Sequence, residues 1–389
     1  MKKTLLIVVI ILAVILALPA FNLIQWFFQA KKPLDIILLD KTVPTVKREN
    51  HRAISWVFTH ERYVDSTRSG YNYMKDYYGW FPLRPLRDRE YKINDYRLTD
   101  VINLAKSHEM LYIADTYGVT ANDWYRSIFK SRRARKLYGG LNNTDNLLIK
   151  EMKDRNRLVI LEYNSFDYPT AAFDSYRTQE RIGVTFSGWT GKHFASLDTT
   201  SHDFPLWMPQ LYRKEHKKPW KFTKSGIVLV SQKNIIVLED GTHLTGSMPH
   251  IMSDTASCQK YGVVSDVAFD NWFDIISPNS CNVISSYHLP TTAKGDSLLI
   301  DYNLSNTFPA VTQESTTPTV YYFAGNFAYS DKPQWTSMFK SIEMLKSFFY
   351  SDKQDDPRRF FWLYYKPLVK SIMGDYYQSL VSQVTVTDK

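Results

Sequence analysis

At 389 residues the chain is long enough for two ordinary domains or one large composite unit, and its 44% hydrophobic and 22% charged content excludes a disordered polymer. The net charge of +9 is spread along the sequence and does not mark a nucleic-acid binder. The one dense basic run, Lys130 to Lys136, reads as a solvated face, with contact to anionic lipid or glycan as the alternative.

At the N-terminus Lys2 and Lys3 precede an almost unbroken apolar run from Leu5 to Leu18. Pro19, Ala20 and a segment ending in Trp26-Phe27-Phe28 follow. A bilayer core takes roughly 20 apolar residues as helix, and aromatic side chains favour its interface. Residues 4–28 therefore read as a membrane anchor, and residues 1–32 as the anchor segment. A cleaved signal peptide has the same first two regions, but Leu18-Pro19-Ala20 puts a bulky residue where cleavage favours a small one. The short N-terminal tail places the bulk of the chain outside the cytoplasm, in the periplasm or on the cell surface.

After the anchor the pattern becomes α/β, with an α/β domain expected over 33–245, a β-rich extension over 246–335 and a helical end over 336–389. Short apolar runs at 34–40, 110–115 and 157–162 read as buried strands. Residues 97–107, 143–155 and 170–182 read as helices, the last closed by Gly183. Residues 50–60 fit either state. Gly226–Ser231 and Asn234–Leu238 form a strand pair. Strands alternating with helices predict a parallel sheet with helices on both faces. Past 260, strands are expected at 281–288, 297–303 and 319–324, with 312–319 a loop. Residues 336–350 and 358–374 are expected as aromatic, basic helices. Residues 360–370 pack across the sheet or lie on a membrane surface.

Three of the predicted strands end in an acid: Asp40, Asp115 and Glu162. Ligands of open α/β sheets bind at the carboxyl ends of the strands, and neighbouring carboxylates shift one another's pKa, which permits acid–base work. These acids are the candidate catalytic residues. Lys41, Tyr117, Asn164, Ser165, Trp189 and His193 are the candidate binding residues around them. The competing reading is that strand-end acids cap helices and loops. Ser165 lacks the glycines of a G-x-S-x-G nucleophile elbow. Gly188 to His193 contains G-x-x-G-K but is too short for a P-loop, and reads as a loop with an exposed Trp189. Cys258 and Cys281, the two cysteines, make no zinc spacing and are either bridged or free thiols. No metal or cofactor is expected. The 26 Tyr, 22 Phe and 10 Trp suit packing, membrane interfaces and sugar stacking alike, so this excess does not choose among them.

The strand Ile36–Asp40 with Lys41, the Ile113-Ala114-Asp115 strand end, Tyr138-Gly139-Gly140-Leu141 and the Glu162–Thr170 turn resemble the class I glutamine amidotransferase-like α/β superfamily. The branch that they resemble is its non-amidotransferase members, such as the trimerisation-type domains of beta-galactosidases and related membrane-anchored bacterial envelope proteins. Tyr321 to Phe327 resembles a closing strand of such envelope proteins. The resemblance covers residues 34–240 and implies the fold. Amidotransferases of that superfamily use a cysteine at the elbow, where this chain has Asn164 and Ser165, so it implies no glutamine hydrolysis and transfers no catalytic residue.

The reading favoured by location, aromatics and an acid-lined crevice is a protein that binds, or helps assemble or process, an envelope polysaccharide. A glycoside-cleaving or transferring enzyme using two of the three acids is the first alternative, with carboxylate spacing the discriminator. A non-catalytic scaffold that docks envelope proteins is the second. A crevice outside the cytoplasm has no supply of ATP or NAD.

Overall fold

The computed structural model describes residues 17, 19–85, 87–125, 135–201 and 204–387. The apolar run before residue 17 and most of the basic run, through residue 134, lie outside the described residues. Among the described residues, no helix is long and apolar enough to cross a membrane.

The core strands form where short β-rich apolar runs are buried on both faces. These are β1 (Ile36–Asp40), β4 (Met110–Asp115), β5 (Leu158–Glu162) and β14 (Val320–Phe323), every residue of which is buried. Around them run the hairpin β2 (Tyr78–Arg84) and β3 (Glu90–Asn94), and the later strands β9 (His250–Ser253), β10 (Asp266–Ala268), β12 (Cys281–His288) and β13 (Thr307–Glu314). Together they make one ten-stranded sheet in the order β10-β9-β12-β13-β14-β5-β4-β1-β2-β3. The five central strands, from β14 to β2, are parallel, and both flanks are antiparallel. The sheet is therefore mixed, where the sequence reading had a parallel one. The stretch over 246–335 extends this sheet through β9, β10, β12, β13 and β14.

Helices pack against the sheet. α2 (Arg52–His60) buries a face whose Trp56 meets Phe361 and Trp362 of the C-terminal segment edge-on. α3 (Val101–Ser107) packs with α4 (Asn143–Asp154). Asn142 starts α4: its side chain accepts from the backbone N–H groups of Thr144 and Asp145, and Asp145 reaches back to the Asn142 N–H. α5 (Ala172–Ile182) stops at Gly183 in the left-handed conformation. A second, four-stranded sheet has the order β8-β7-β6-β11, built from β6 (Val184–Phe194), β7 (Gly226–Val230), β8 (Ile235–Glu239) and β11 (Phe273–Pro278). It carries its own small core of Phe194, Leu197, Phe204, Met208, Val228 and Val237.

Several local expectations change. Gly188 to His193 is not a loop but part of β6. A Cβ on Gly191 would lie 2.3 Å from the Phe273 ring, so glycine there admits a neighbour and does not mark a turn. Residues 297–303 are not a strand. A helix over Ala293–Ile300 occupies most of them, started by Thr292, whose hydroxyl accepts from the Gly295 N–H. The 312–319 stretch is strand through Glu314 before it turns. The 336–350 helix is two short 3-10 pieces, Gln334–Met338 and Ile342–Phe348. Residues 50–60 are mainly helix α2, preceded by a 3-10 turn. Cys258 and Cys281 are free thiols.

Gly79 sets how closely β2 approaches β1. It has φ +136°, and a Cβ there would fall 1.7 Å from the Asp40 carbonyl oxygen. Gly79→Ala is expected to destabilise the fold by about 2–4 kcal/mol, read as a lower midpoint in urea unfolding with an unchanged slope.

Candidate functional site

The first strand of the parallel set, β1, has its successor β2 on one side and the later β4 on the other, with β5 and β14 beyond β4. Read from β2 this is the 2-1-3-4-5 order of doubly wound sheets, whose ligands bind where the order reverses, at the β1 and β4 carboxyl ends. Asp40 and Asp115 are those two ends, and they are register partners across the ladder.

Asp40 is fully buried and fully engaged. Its Oδ1 accepts the Thr42 N–H at 2.9 Å, and its Oδ2 lies 2.5 Å from His51 Nδ1. His51 Nε2 sits 2.8 Å from the Tyr73 carbonyl, which can only accept, so Nε2 carries a proton. A further proton lies between Nδ1 and Asp40. Burial raises the Asp40 pKa, against the lowering effect of His51.

Asp115 is arranged differently. Oδ1 accepts from the Thr42 hydroxyl at 2.7 Å, from the Tyr117 N–H at 2.8 Å and from the Asn164 amide at 3.3 Å. Oδ2 meets the side-chain amides of Asn50 and Asn164, both at 3.4 Å. Burial first, and the Asp40 charge second, push its pKa up to about 7. Asn164 takes the left-handed conformation at φ 67°, which asparagine tolerates, and its backbone N–H bonds to Asp274 of β11. Asp274, buried and held by the Tyr322 hydroxyl at 2.6 Å, is itself pushed up to about 8 by burial. Through Asp274 the second sheet is thus tied to the Asn164 and Asp115 end of the main sheet.

Beyond Asn50 stands Asn326, whose amide nitrogen is 3.5 Å from Asn50 Oδ1. Asn326 is only 8% exposed, and its side-chain carbonyl Oδ1 has no hydrogen-bond partner. A buried acceptor without a donor is costly unless something supplies one. At the carboxyl ends of β1 and β4 the cluster thus has Asp40, Asp115 and Asn326 buried, with Thr42, Asn50, Tyr117 and Asn164 half-buried around them. Trp272, half-buried, borders it through its carbonyl, which accepts the Asn326 N–H at 3.0 Å.

The other candidates stand elsewhere. Glu162 shares its face of the sheet with Tyr112: its carboxylate bonds the Tyr112 hydroxyl, and its Oε2 accepts the Ala328 N–H at 2.9 Å. Tyr112 bonds on to Tyr365, and burial holds Glu162 well above the usual carboxylate range. Lys41 is buried and paired with Asp145 at 2.6 Å, also donating to the Gly140 carbonyl. Ser165 donates to the Glu162 carbonyl from a buried position. Trp189 lies in β6, edge-on to Tyr302. His193, also in β6, is buried and lowered to about 4 by desolvation. Asn50, His51 and Asn326 were not among the candidate site residues: the first two fall in a stretch read only for its secondary structure and the third in one read only as a closing strand. Among the described residues no group of three or more His, Cys, Asp or Glu side chains is placed to hold a metal ion. Two surface depressions, between α4 and α5 and within 351–358, share no residue with the crevice.

No family model matches the chain, and no curated protein matches it. Among solved structures it is similar to a cold-adapted beta-galactosidase from Rahnella sp. R3, at 9% identity and TM-score 0.25, over 61% of this chain and 23% of that one. It is also similar to a ThuA-like protein from Bacteroides uniformis ATCC 8492, at 8% identity and TM-score 0.32, over 85% of this chain and 97% of that one. The chain thus spans about a quarter of the length of the beta-galactosidase. Both scores are low, and neither likeness carries an argument about activity.

Two outcomes follow from the buried charges. Between pH about 4 and about 7 the folded chain keeps an Asp115 proton that the unfolded chain has released. Asp115 therefore contributes stability that is complete below its unfolded pKa and lost as pH rises through about 7. The stability difference between the wild type and Asp115→Asn, followed by urea unfolding from pH 4 to 8, is expected to shift by a few kcal/mol in the variant's favour as pH rises. Lys41→Met leaves the buried Asp145 charge without its cation and is expected to cost about 3–5 kcal/mol, while adding Asp145→Asn, which removes that charge and keeps a polar side chain for the Asn142 N–H and the Tyr96 hydroxyl, restores much of it in the same assay.

Proposed function

We propose that this is a membrane-anchored, extracytoplasmic protein whose crevice at the ends of β1 and β4 binds a polyhydroxylated ligand, an envelope glycan. In the same reading the ten-stranded sheet is the amidotransferase-like fold with helices on both faces, put to binding and not to glutamine hydrolysis. The observation that carries the ligand reading is the unpartnered Asn326 Oδ1 beside the amides of Asn50 and Asn164 and the Asp115 carboxyl. Sugar hydroxyls donate and accept at once. A set of amides and a carboxyl that is half protonated near pH 7 offers both partners within one small space.

Cleavage has less support. A two-carboxylate mechanism needs both acids free to reach the sugar. Asp40 spends both oxygens on Thr42 and His51, and Glu162 spends its own on the Tyr112 hydroxyl and the Ala328 N–H. The scaffold reading calls for a large exposed apolar patch in place of a polar cleft; the apolar side chains exposed around the helix over 19–27 and around 334–348 are assigned below to a lipid surface.

The full chain, solubilised in detergent, is to be tested on an array of envelope glycans. Binding is expected, and Asn326→Leu and Asn50→Ala are each expected to weaken it about tenfold, the loss of one to two hydrogen bonds. His193→Phe is expected to leave it unchanged. Affinity unaltered in Asn326→Leu, or no glycan bound by the wild type, rejects the reading.

A further inference from the structure

The helix that precedes the fold, α1 (19–27), is exposed on most of its circumference. Phe21 is 58% exposed, Ile24 53%, Phe27 65% and the following Phe28 80%. Its inner side is tied down: the Trp26 indole donates to the Thr59 carbonyl at 3.0 Å, and the Arg62 guanidinium lies over the Trp26 ring at 4.3 Å. α1 therefore leaves the fold at a set position, and the apolar run Leu5–Leu18 leads into it.

A second exposed apolar surface stands beside it. The 3-10 pieces over 334–348 present Trp335, Met344, Leu345 and Phe348, with Met344 and Phe348 more than four-fifths exposed. The two surfaces are joined. Ser341 N–H donates to Asn22 Oδ1 at 2.9 Å, and Lys340 Nζ donates to Gln29 Oε1 at 2.8 Å. The exposed charges interleaved here, Lys31, Lys340 and Lys346, are cationic. The one acid in the segment, Glu343, is neutralised by Lys366. Monomeric soluble proteins rarely leave contiguous apolar patches of this kind in water.

We propose that the 334–348 segment lies in the membrane interface next to α1, with Met344, Leu345 and Phe348 at the acyl boundary and Lys31, Lys340 and Lys346 at anionic headgroups. The proposal rests on the N-terminal anchor reading. Its occupant is a lipid bilayer, because an apolar run long enough to enter one continues directly into the helix to which the segment is bonded. Lysines ringing an apolar patch complement an anionic lipid surface. The aromatic stretch 360–370, the other membrane-surface candidate in the sequence, is not available for this. Phe360, Phe361, Trp362, Tyr364 and Tyr365 are buried against the sheet and α2.

The test uses the full chain in nanodiscs of mixed neutral and anionic lipid, with Cys258 and Cys281 replaced by serine. A single environment-sensitive fluorophore is attached at Phe348→Cys, at Phe28→Cys or at Tyr176→Cys, an exposed site on α5. Brominated lipids are expected to quench positions 348 and 28 by roughly twofold and to leave 176 unaffected. Quenching at 28 without quenching at 348 overturns the proposal and keeps the anchor. Quenching at neither overturns both. Equal quenching at all three sites marks non-specific adsorption and also overturns it.

Discussion

The structure turns on two carboxyl groups buried side by side at the ends of adjacent parallel strands. Asp40 and Asp115 are register partners with almost no exposure, and a pair of ionised acids in that place would repel strongly. The surroundings resolve the conflict by splitting their roles. Both are raised by burial; Asp40 receives His51 and a backbone N–H, while Asp115 receives amides, a hydroxyl and a backbone N–H but no cationic or imidazole partner in those contacts, and rises to about 7. Gly79 lets β2 close over the Asp40 carbonyl. Asn164, in a conformation few residues adopt, turns the chain after β5 back toward Asp115. These pieces come from distant parts of the sequence and serve a single electrostatic constraint.

Much of the central sheet was legible because its signal is local. A run such as Ile36–Asp40 or Leu158–Glu162 is too apolar for anything but a doubly covered strand, and the acid at its end marks where solvent or a site begins. What one strand does not reveal is which face its terminal side chain takes. Glu162 looks like Asp40 and Asp115 in sequence, yet it bonds Tyr112 across the ladder on the face that Tyr365 covers. Lys41, one residue past Asp40, is drawn to Asp145, a helix-capping acid about a hundred positions later. Asn50 and Asn326 acquire meaning only from each other's proximity, so no reading of either segment alone finds them.

The aromatic excess has a plain physical destination. Phe269, Tyr287, Phe327, Phe360 and Tyr364 meet at ring-centroid distances between 4.9 and 6.1 Å, most of them tilted or edge-on. This cluster binds the antiparallel flank of the sheet to the C-terminal segment. The tyrosines within the core bring hydroxyls with them, and those satisfy buried acids: Tyr112 serves Glu162, Tyr322 serves Asp274 and Tyr96 serves Asp145. Tyrosine count and buried carboxylate count are thus two sides of one packing solution.

The point at which α1 joins the sheet has a directional consequence. The chain comes off that helix, pairs at Lys32 and Pro33 with Tyr63 and Val64, and enters β1 from its amino end, while Asp40 closes the opposite end. Five residues of strand span about 16 Å, so the Asp40–Asp115 cluster and the point where α1 joins the sheet lie on opposite rims. A protein tethered at that rim would hold its crevice away from the tether, within reach of long, flexible molecules in the surrounding layer and out of reach of small lipids in the plane below.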